Sequence, residues 1–320
     1  MNDAAWNELV DEFRALGGTA DNIRLGEGAL GRGLFPVDPA KPVRLHCPEN
    51  LLIDIPDIVF EGGMLRITPG EPVGARERSF FEDYHARLSW GGGGRAEIEN
   101  IFAHAQNLPE SIRHDLQTKY RCGSWFNTPA LELIEREFID SRECIYENRD
   151  VMMPMIELAN HGDACTFGCK QGISIEGKAT GEVTYRYAET DSYGLFRTWG
   201  FGGAASVAFS VELEGSLEAA RLLVERQIAI AKGGSGVWVP AVSAKEGFIK
   251  LSFVMLGNSN YPRLCRGIFR RALREAGFKD ADETFDKLRR TNFRHFLGLI
   301  EDLETVEGPM AESLRRMAHH

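Results

Sequence analysis

Val151 to Gly162 reads VMMPMIELANHG. Five of its first six residues are large and apolar, which is how a buried strand begins. It ends on an adjacent amide and imidazole, Asn160 and His161. Taken alone, the pair reads as the polar end of a strand, capping it as it leaves the core. The rest of the chain decides whether the apolar run delivers those side chains to something else.

Outward from that stretch the periodicity changes several times. Ala4 to Leu16 predicts a helix, with Trp6, Leu9, Val10, Phe13 and Leu16 at helical spacing and Gly17–Gly18 ending it. From Asn22 to Ile67 the segments NIRL, GLFPV, VRLHC, LLIDI and GMLRI read as short strands cut by Gly and Pro turns. Arg76 to Cys144 is helical, with RERSFFEDYHARL, AEIENIFAHAQ and PALELIEREFIDS carrying the 3.6-residue period. The glycines Gly91 to Gly94 read as a flexible joint between two of these helices. Strand patterns return from Val151 to Tyr187. SVAFSVEL, GVWVPAV and FIKLSFVML then lead into Arg- and Leu-rich helices, RLCRGIFRRALREAG and TFDKLRRTNFRHFLGLIEDLE. A helical block between two groups of short strands predicts an insertion into one β unit, provided the two groups pair. The fold class expected is α+β.

Composition limits the function. Of 320 residues, 43% are hydrophobic and 26% charged, which is ordinary for a globular protein of about two domains. A net charge of −10 argues against a nucleic-acid phosphate backbone as partner. The acidic, amphipathic start MNDAAWNELVDEF does not read as a signal peptide, and no apolar run is long enough to span a membrane. Six dispersed cysteines point to free thiols in a reducing cytoplasm.

Several motifs are weaker than they look. GEGALGRG contains G-x-G-x-x-G at Gly26, Gly28 and Gly31, but a dinucleotide site needs that loop to open a helix. Pro36, Pro39 and Pro42 follow instead, so a sharp backbone turn remains. HGDACTFGC sets His161, Cys165 and Cys169 four apart, without the second cysteine pair of a structural zinc site. Tyr185 and Tyr187 share one face if their segment is a strand, as a half-buried surface or as phenols aimed into a pocket. No G-x-S-x-G elbow or H-E-x-x-H helix is present, and Glu135 with Glu137 reads as a solvated helix face.

In order, GRGLF, PMIELANH and YRYA followed by WGF resemble the SET-domain methyltransferases. The helical block and the C-terminal region resemble the Rubisco large-subunit lysine methyltransferase group, which has an inserted helical subdomain and a C-terminal substrate-binding domain. The resemblance implies an N-terminal helix at 1–21, a SET domain split into 22–75 and 141–201, a helical insertion at 76–140 and a substrate-binding-like domain at 202–320. It implies S-adenosylmethionine as cofactor. Leu30, Gly31 and Arg32 would lie against it, Gly31 and Gly33 allowing close approach. Arg142 in DSREC would contact it, and Asn160 and His161 would hold its methionyl and adenine parts. Tyr187 would be the catalytic tyrosine, and Tyr185, Trp199 and Phe201 would line the substrate channel. Ser192, Gly194 and Trp199 stand where the family has asparagine, glutamate and the signature tyrosine.

Methyl transfer from a sulfonium is an in-line displacement in which positioning supplies most of the acceleration. The acceptor amine must be neutral, and desolvation beside a sulfonium lowers a lysine pKa. The expected activity is methylation of a protein side-chain nitrogen, lysine first, on a protein substrate. The alternatives are an altered SET scaffold that only binds a partner, or methylation of histidine, a peptide or a small molecule.

Overall fold

A computed structural model describes residues 3–118, 124–126, 130–188, 192–201, 207–208, 213–217, 220–224, 240–252, 257–258, 262–303 and 306–316. The chain divides into two compact units, Met1–Asn100 with Pro129–Tyr187, and Ile101–Thr128 with Ala188–His320.

The first unit opens with helix α1 (Asp3–Ala15), whose Trp6, Leu9, Val10 and Phe13 are buried. Gly17, at φ 94, lets the chain reverse, and the Gly18 amide closes the helix on the Phe13 carbonyl at 2.9 Å. Strands β1 (Thr19–Asp21), β2 (Ile23–Gly28), β3 (Gly31–Pro36) and β4 (Val43–Cys47) follow. Then come β5 (Ile53–Asp54), β6 (Ile58–Glu61) and β7 (Met64–Ile67). The helical block is α2 (Ala75–Arg87), α3 (Arg95–Gln106), α4 (Glu110–Thr118) and α5 (Leu131–Asp140), of which α4 and the end of α3 from Ile101 belong to the second unit. Short strands resume as β8 (Glu143–Tyr146), β9 (Arg149–Met152), β10 (Asn160–His161), β11 (Thr166–Gly168), β12 (Ile173–Gly177) and β13 (Thr184–Tyr185).

The two strand groups do pair across the helical block. β12 lies antiparallel to β4, Ile175 opposite Leu45, inside a sheet ordered β1-β4-β12-β11. β5 pairs with β9, and Leu34 of β3 bridges to Val183. Leu34, Leu45, Val151, Met155, Ile156, Ile173 and Val183 are buried with the inner face of α1 in one core.

Two expectations from the sequence are corrected. VMMPMIEL is not one strand: β9 ends at Met152, and Pro154 cannot donate to a ladder. Met155 is fully buried at φ 69, and Ile156–Leu158 forms a 3₁₀ turn. The run is core-forming, but its backbone winds twice before reaching Asn160. Gly91 to Gly94 is not a flexible joint either. Trp90–Gly94 is a packed kink between two helices, with Gly93 at the non-helical φ 130, and a Cβ on Gly92 would stand 2.7 Å from the Arg87 carbonyl oxygen. Gly92→Ala should therefore destabilise the protein by about 1–3 kcal/mol in denaturant unfolding, as overpacking against backbone does.

In the second unit α6 (Ser192–Trp199) precedes strands β14 (Val207–Ala208), β15 (Leu213–Leu217), β16 (Ala220–Val224), β17 (Val242–Lys245), β18 (Phe248–Leu251) and β19 (Gly257–Asn258). β15-β16-β18-β17 is a sheet, and β14 pairs with β19. Helices α7 (Pro262–Glu275), α8 (Ala281–Leu303) and α9 (Pro309–Arg316) complete it, with Arg266, Arg270 and Arg274 of α7 on Asp282 of α8. Most of GVWVPAV lies outside the described residues, as does Cys122.

Candidate functional site

Three segments distant in sequence meet around Asn160. β2 and β3 form a hairpin in which Gly28 faces Gly31, so Ala29 and Leu30 make a two-residue turn. Gly31, the residue after that turn, takes φ 89, a conformation that glycine adopts without steric cost, and a Cβ there would meet open space. The sharp turn expected of GEGALGRG is this hairpin, and its end offers bare backbone. The Val183 amide donates to the Leu34 carbonyl of β3 at 2.7 Å. β13 then runs parallel to β10, Asn160 opposite Thr184 and His161 opposite Tyr185. Two-residue strands hold little by themselves, so the pair is fixed by its surroundings. The Gly162 amide bonds the Tyr185 carbonyl at 3.0 Å and the Cys165 amide bonds the Thr184 carbonyl at 2.9 Å. The Asn160 amide nitrogen donates to the Arg32 carbonyl at 3.0 Å and to Glu182 at 2.5 Å.

A chain of charges extends from Arg32. Its guanidinium caps the glycine turn, donating to the carbonyls of Leu88 and Gly92 at 2.5 Å, and lies 3.4 Å from Glu97. Glu97 also receives Arg142 at 3.1 Å, and Arg142 reaches buried Glu157 at 3.5 Å. The Arg142 guanidinium stacks over the Phe138 ring at 4.2 Å. Glu157 accepts the Tyr84 hydroxyl at 2.9 Å. Burial pushes the Glu157 carboxyl above the usual carboxylate range, and Arg142 opposes that by attraction.

His85 lies fully buried beside this cluster, between the rings of Phe81, Tyr84 and Phe138. Burial, and after it the charge of Arg142, lowers its pKa to about 3. A folded-state pKa below the unfolded one means that unfolded His85 takes up a proton first as pH falls. Its contribution is present above about pH 6.5 and is lost below that, at most about 1.4 kcal/mol per pH unit down to about pH 3. Glu157 acts oppositely, since its raised carboxyl is relieved by protonation. His85→Phe should flatten the fall in thermal midpoint between about pH 6 and pH 4, as a pH series of melts would show.

The third group is aromatic. The Tyr187 hydroxyl donates to the Ala159 carbonyl at 2.9 Å, and its backbone amide donates to Nδ1 of His161 at 3.2 Å. That bond makes Nδ1 the acceptor and places the proton of a neutral ring on Nε2. The rings of His161 and Tyr187 meet edge to face at 5.3 Å. Tyr185, buried, stands 5.0 Å from Tyr187 and stacks on Phe167 at 5.2 Å. Burial raises the phenol of Tyr187 far above its ordinary value, so it stays protonated at neutral pH.

Arg32, Arg142, Asn160, His161, Tyr185 and Tyr187 thus belong to connected parts of the first unit. Leu30 stands on the hairpin turn with 53% of its surface exposed. Trp199 and Phe201 belong to the second unit, Trp199 ending α6 and Phe201 following Gly200, whose amide donates to the Phe196 carbonyl at 2.8 Å. Sequence reasoning missed Glu97, Glu157 and Glu182, which tie these residues together. Among the described residues, no group of His, Cys, Asp or Glu is placed to hold a metal ion, and no helix is long and apolar enough to cross a membrane.

No family model matches the chain, and no curated protein matches it closely. Solved structures align with it along its length at low identity. The chain is similar to Rubisco LSMT. A crystal structure of the SET domain of LSMT bound to lysine and AdoHcy aligns over 98% of this chain and 88% of its own, at 14% identity and a TM-score of 0.46. A structure of Rubisco LSMT bound to AdoMet aligns over the same shares, at 12% identity and a TM-score of 0.44.

Proposed function

We propose that the chain is a SET-type methyltransferase that uses S-adenosylmethionine to methylate a protein side-chain nitrogen, with lysine as the first acceptor to test. One observation carries the reading. The Tyr187 phenol rests on the carbonyl of Ala159, the residue before Asn160, whose amide in turn holds the Arg32 backbone of the hairpin.

The residues fit such a cofactor. It carries a cationic centre, an ammonium, a carboxylate and an adenine. The first unit offers the carboxylates Glu97 and Glu182, the guanidinium of Arg142, the bare hairpin end at Gly31 and the aromatic cluster. When bound, S-adenosylmethionine supplies an electrophilic methyl on a sulfonium. Tyr187 spends its proton on Ala159, which leaves the phenol lone pairs facing away from that bond. Those lone pairs can receive weak C–H···O contacts from a polarised methyl. Burial keeps the phenol neutral, so it orients a dipole without acting as a base. The adjacent rings of Tyr185 and Tyr187 offer an apolar surface, and an amine desolvated against such a surface more readily gives up its proton. No step asks His161 to move a proton.

A second reading, a scaffold that binds a partner without turnover, is favoured by Trp199 standing where the family has its signature tyrosine. Calorimetry with S-adenosylhomocysteine tests what both readings share. Saturable binding that Asn160→Ala weakens by about tenfold or more is expected, the cost of a lost buried hydrogen-bond network. No binding at millimolar ligand would overturn the cofactor assignment.

A further inference from the structure

Asn160 has an amide whose polarity its neighbours dictate. Its nitrogen lies 3.0 Å from the Arg32 carbonyl oxygen and 2.5 Å from a Glu182 oxygen. A carbonyl and a carboxylate only accept, so both must face the two N–H groups and neither can face Oδ1. The opposite flip would set an oxygen against two oxygens, one of them charged. Gly33 belongs to the same arrangement. A Cβ there would stand 2.7 Å from the Asn160 amide nitrogen and against Glu182, so only glycine leaves room for the pair. Glu182 also borders Gly28, with an oxygen 3.1 Å from where its Cβ would be. The carboxylate is therefore wedged along the hairpin, and the Val183 amide next to it is tied to Leu34 at 2.7 Å.

We infer that Glu182 is a positioning residue that fixes the polarity of Asn160. With both N–H groups spent, Asn160 presents Oδ1, an acceptor, and the ligand group it takes is an N–H donor. A carboxylate or phosphate oxygen at that spot would be repelled. The negative charge of Glu182 favours a cationic donor over a neutral one. The ligand's identity rests on the methyltransferase reading above, whereas the Glu182–Asn160 coupling does not.

Four variants test this with S-adenosylhomocysteine calorimetry and thermal melts: Glu182→Gln, Glu182→Ala, Asn160→Asp, and Asn160→Asp with Glu182→Gln together. In Glu182→Gln the new amide can turn either end to Asn160, and in Glu182→Ala the second acceptor is gone, so in both the polarity rests on the Arg32 carbonyl alone. Each should weaken the ligand about tenfold, the scale of one hydrogen bond to a charged group. In Asn160→Asp a carboxylate faces Glu182, and binding should fall about 100-fold at neutral pH. It should recover as pH drops, because a like-charged pair takes up a shared proton above the usual carboxylate range. Adding Glu182→Gln to Asn160→Asp restores one donor but leaves an oxygen facing the Arg32 carbonyl, so affinity should recover about tenfold over Asn160→Asp and lose that pH dependence. The double variant should also melt above Asn160→Asp alone, a readout that needs no ligand. Wild-type affinity in both Glu182 variants, or a double variant no better than Asn160→Asp in melting and binding, would overturn the inference. A wild-type protein that binds no S-adenosylhomocysteine would defeat the cofactor assignment, and melting alone would then decide the coupling.

Discussion

Tyr187→Phe is expected to lower methyl transfer about 100-fold or more while leaving S-adenosylhomocysteine affinity within about threefold of wild type. The change removes one oxygen and keeps the ring, so the packing against Tyr185 and the edge-to-face contact with His161 survive. What is lost is the hydroxyl on the Ala159 carbonyl at 2.9 Å. An interaction used only as the methyl moves appears in kcat and not in ligand affinity. Stability should fall by only about 1 kcal/mol, the worth of one hydrogen bond. A variant with wild-type kcat would remove Tyr187 from the reaction.

Arg142→Ala is expected to have the largest effect on stability. Arg142 bridges Glu97 and Glu157, and the Glu157 side chain is 1% exposed. Removing one partner of a buried pair leaves the other uncompensated, at about 3–5 kcal/mol. The Glu157 carboxyl already lies above its usual range, so it can neutralise itself and keep the loss near the lower figure. Loss of the stack on Phe138 adds to it. Glu157→Gln should cost less, about 1 kcal/mol, because the replacement amide still accepts from Tyr84 and Arg142 keeps Glu97. Denaturant midpoints rank the two, and Arg142→Ala as stable as Glu157→Gln would contradict the charge chain.

Part of this was legible from the residues. The spacing of Trp6, Leu9, Val10 and Phe13 and the glycines after them defined α1 to within a residue. The prolines after GEGALGRG excluded a helix, and a hairpin stands there. Arg32, Arg142, Asn160 and Tyr187, singled out by a motif order, lie in connected parts of one unit. Other features left no local signal. β10 and β13 are two residues each, too short to show a period, and pair only because β3 and Val183 bring them together. The break at Met155 depends on a left-handed residue that nothing in MMPMIEL announces beyond Pro154. Four glycines in a row read as freedom, but here they admit the Arg32 side chain and the close carbonyls of Ala86 and Arg87. Glu97, Glu157 and Glu182 were three among 47 acidic residues, and only tertiary approach gives them partners. Glu157 alone left a trace: it is the one charge in the apolar run VMMPMIEL.

Methyl transfer by the intact protein is the decisive measurement. The protein would be incubated with methyl-labelled S-adenosylmethionine and a proteome extract, and the label located by mass spectrometry. Label is expected on a side-chain nitrogen of one or a few proteins, lysine first, and is abolished by Tyr187→Phe. Absence of any transferred label from a protein that binds S-adenosylhomocysteine would contradict the methyltransferase reading and leave the binding scaffold in its place.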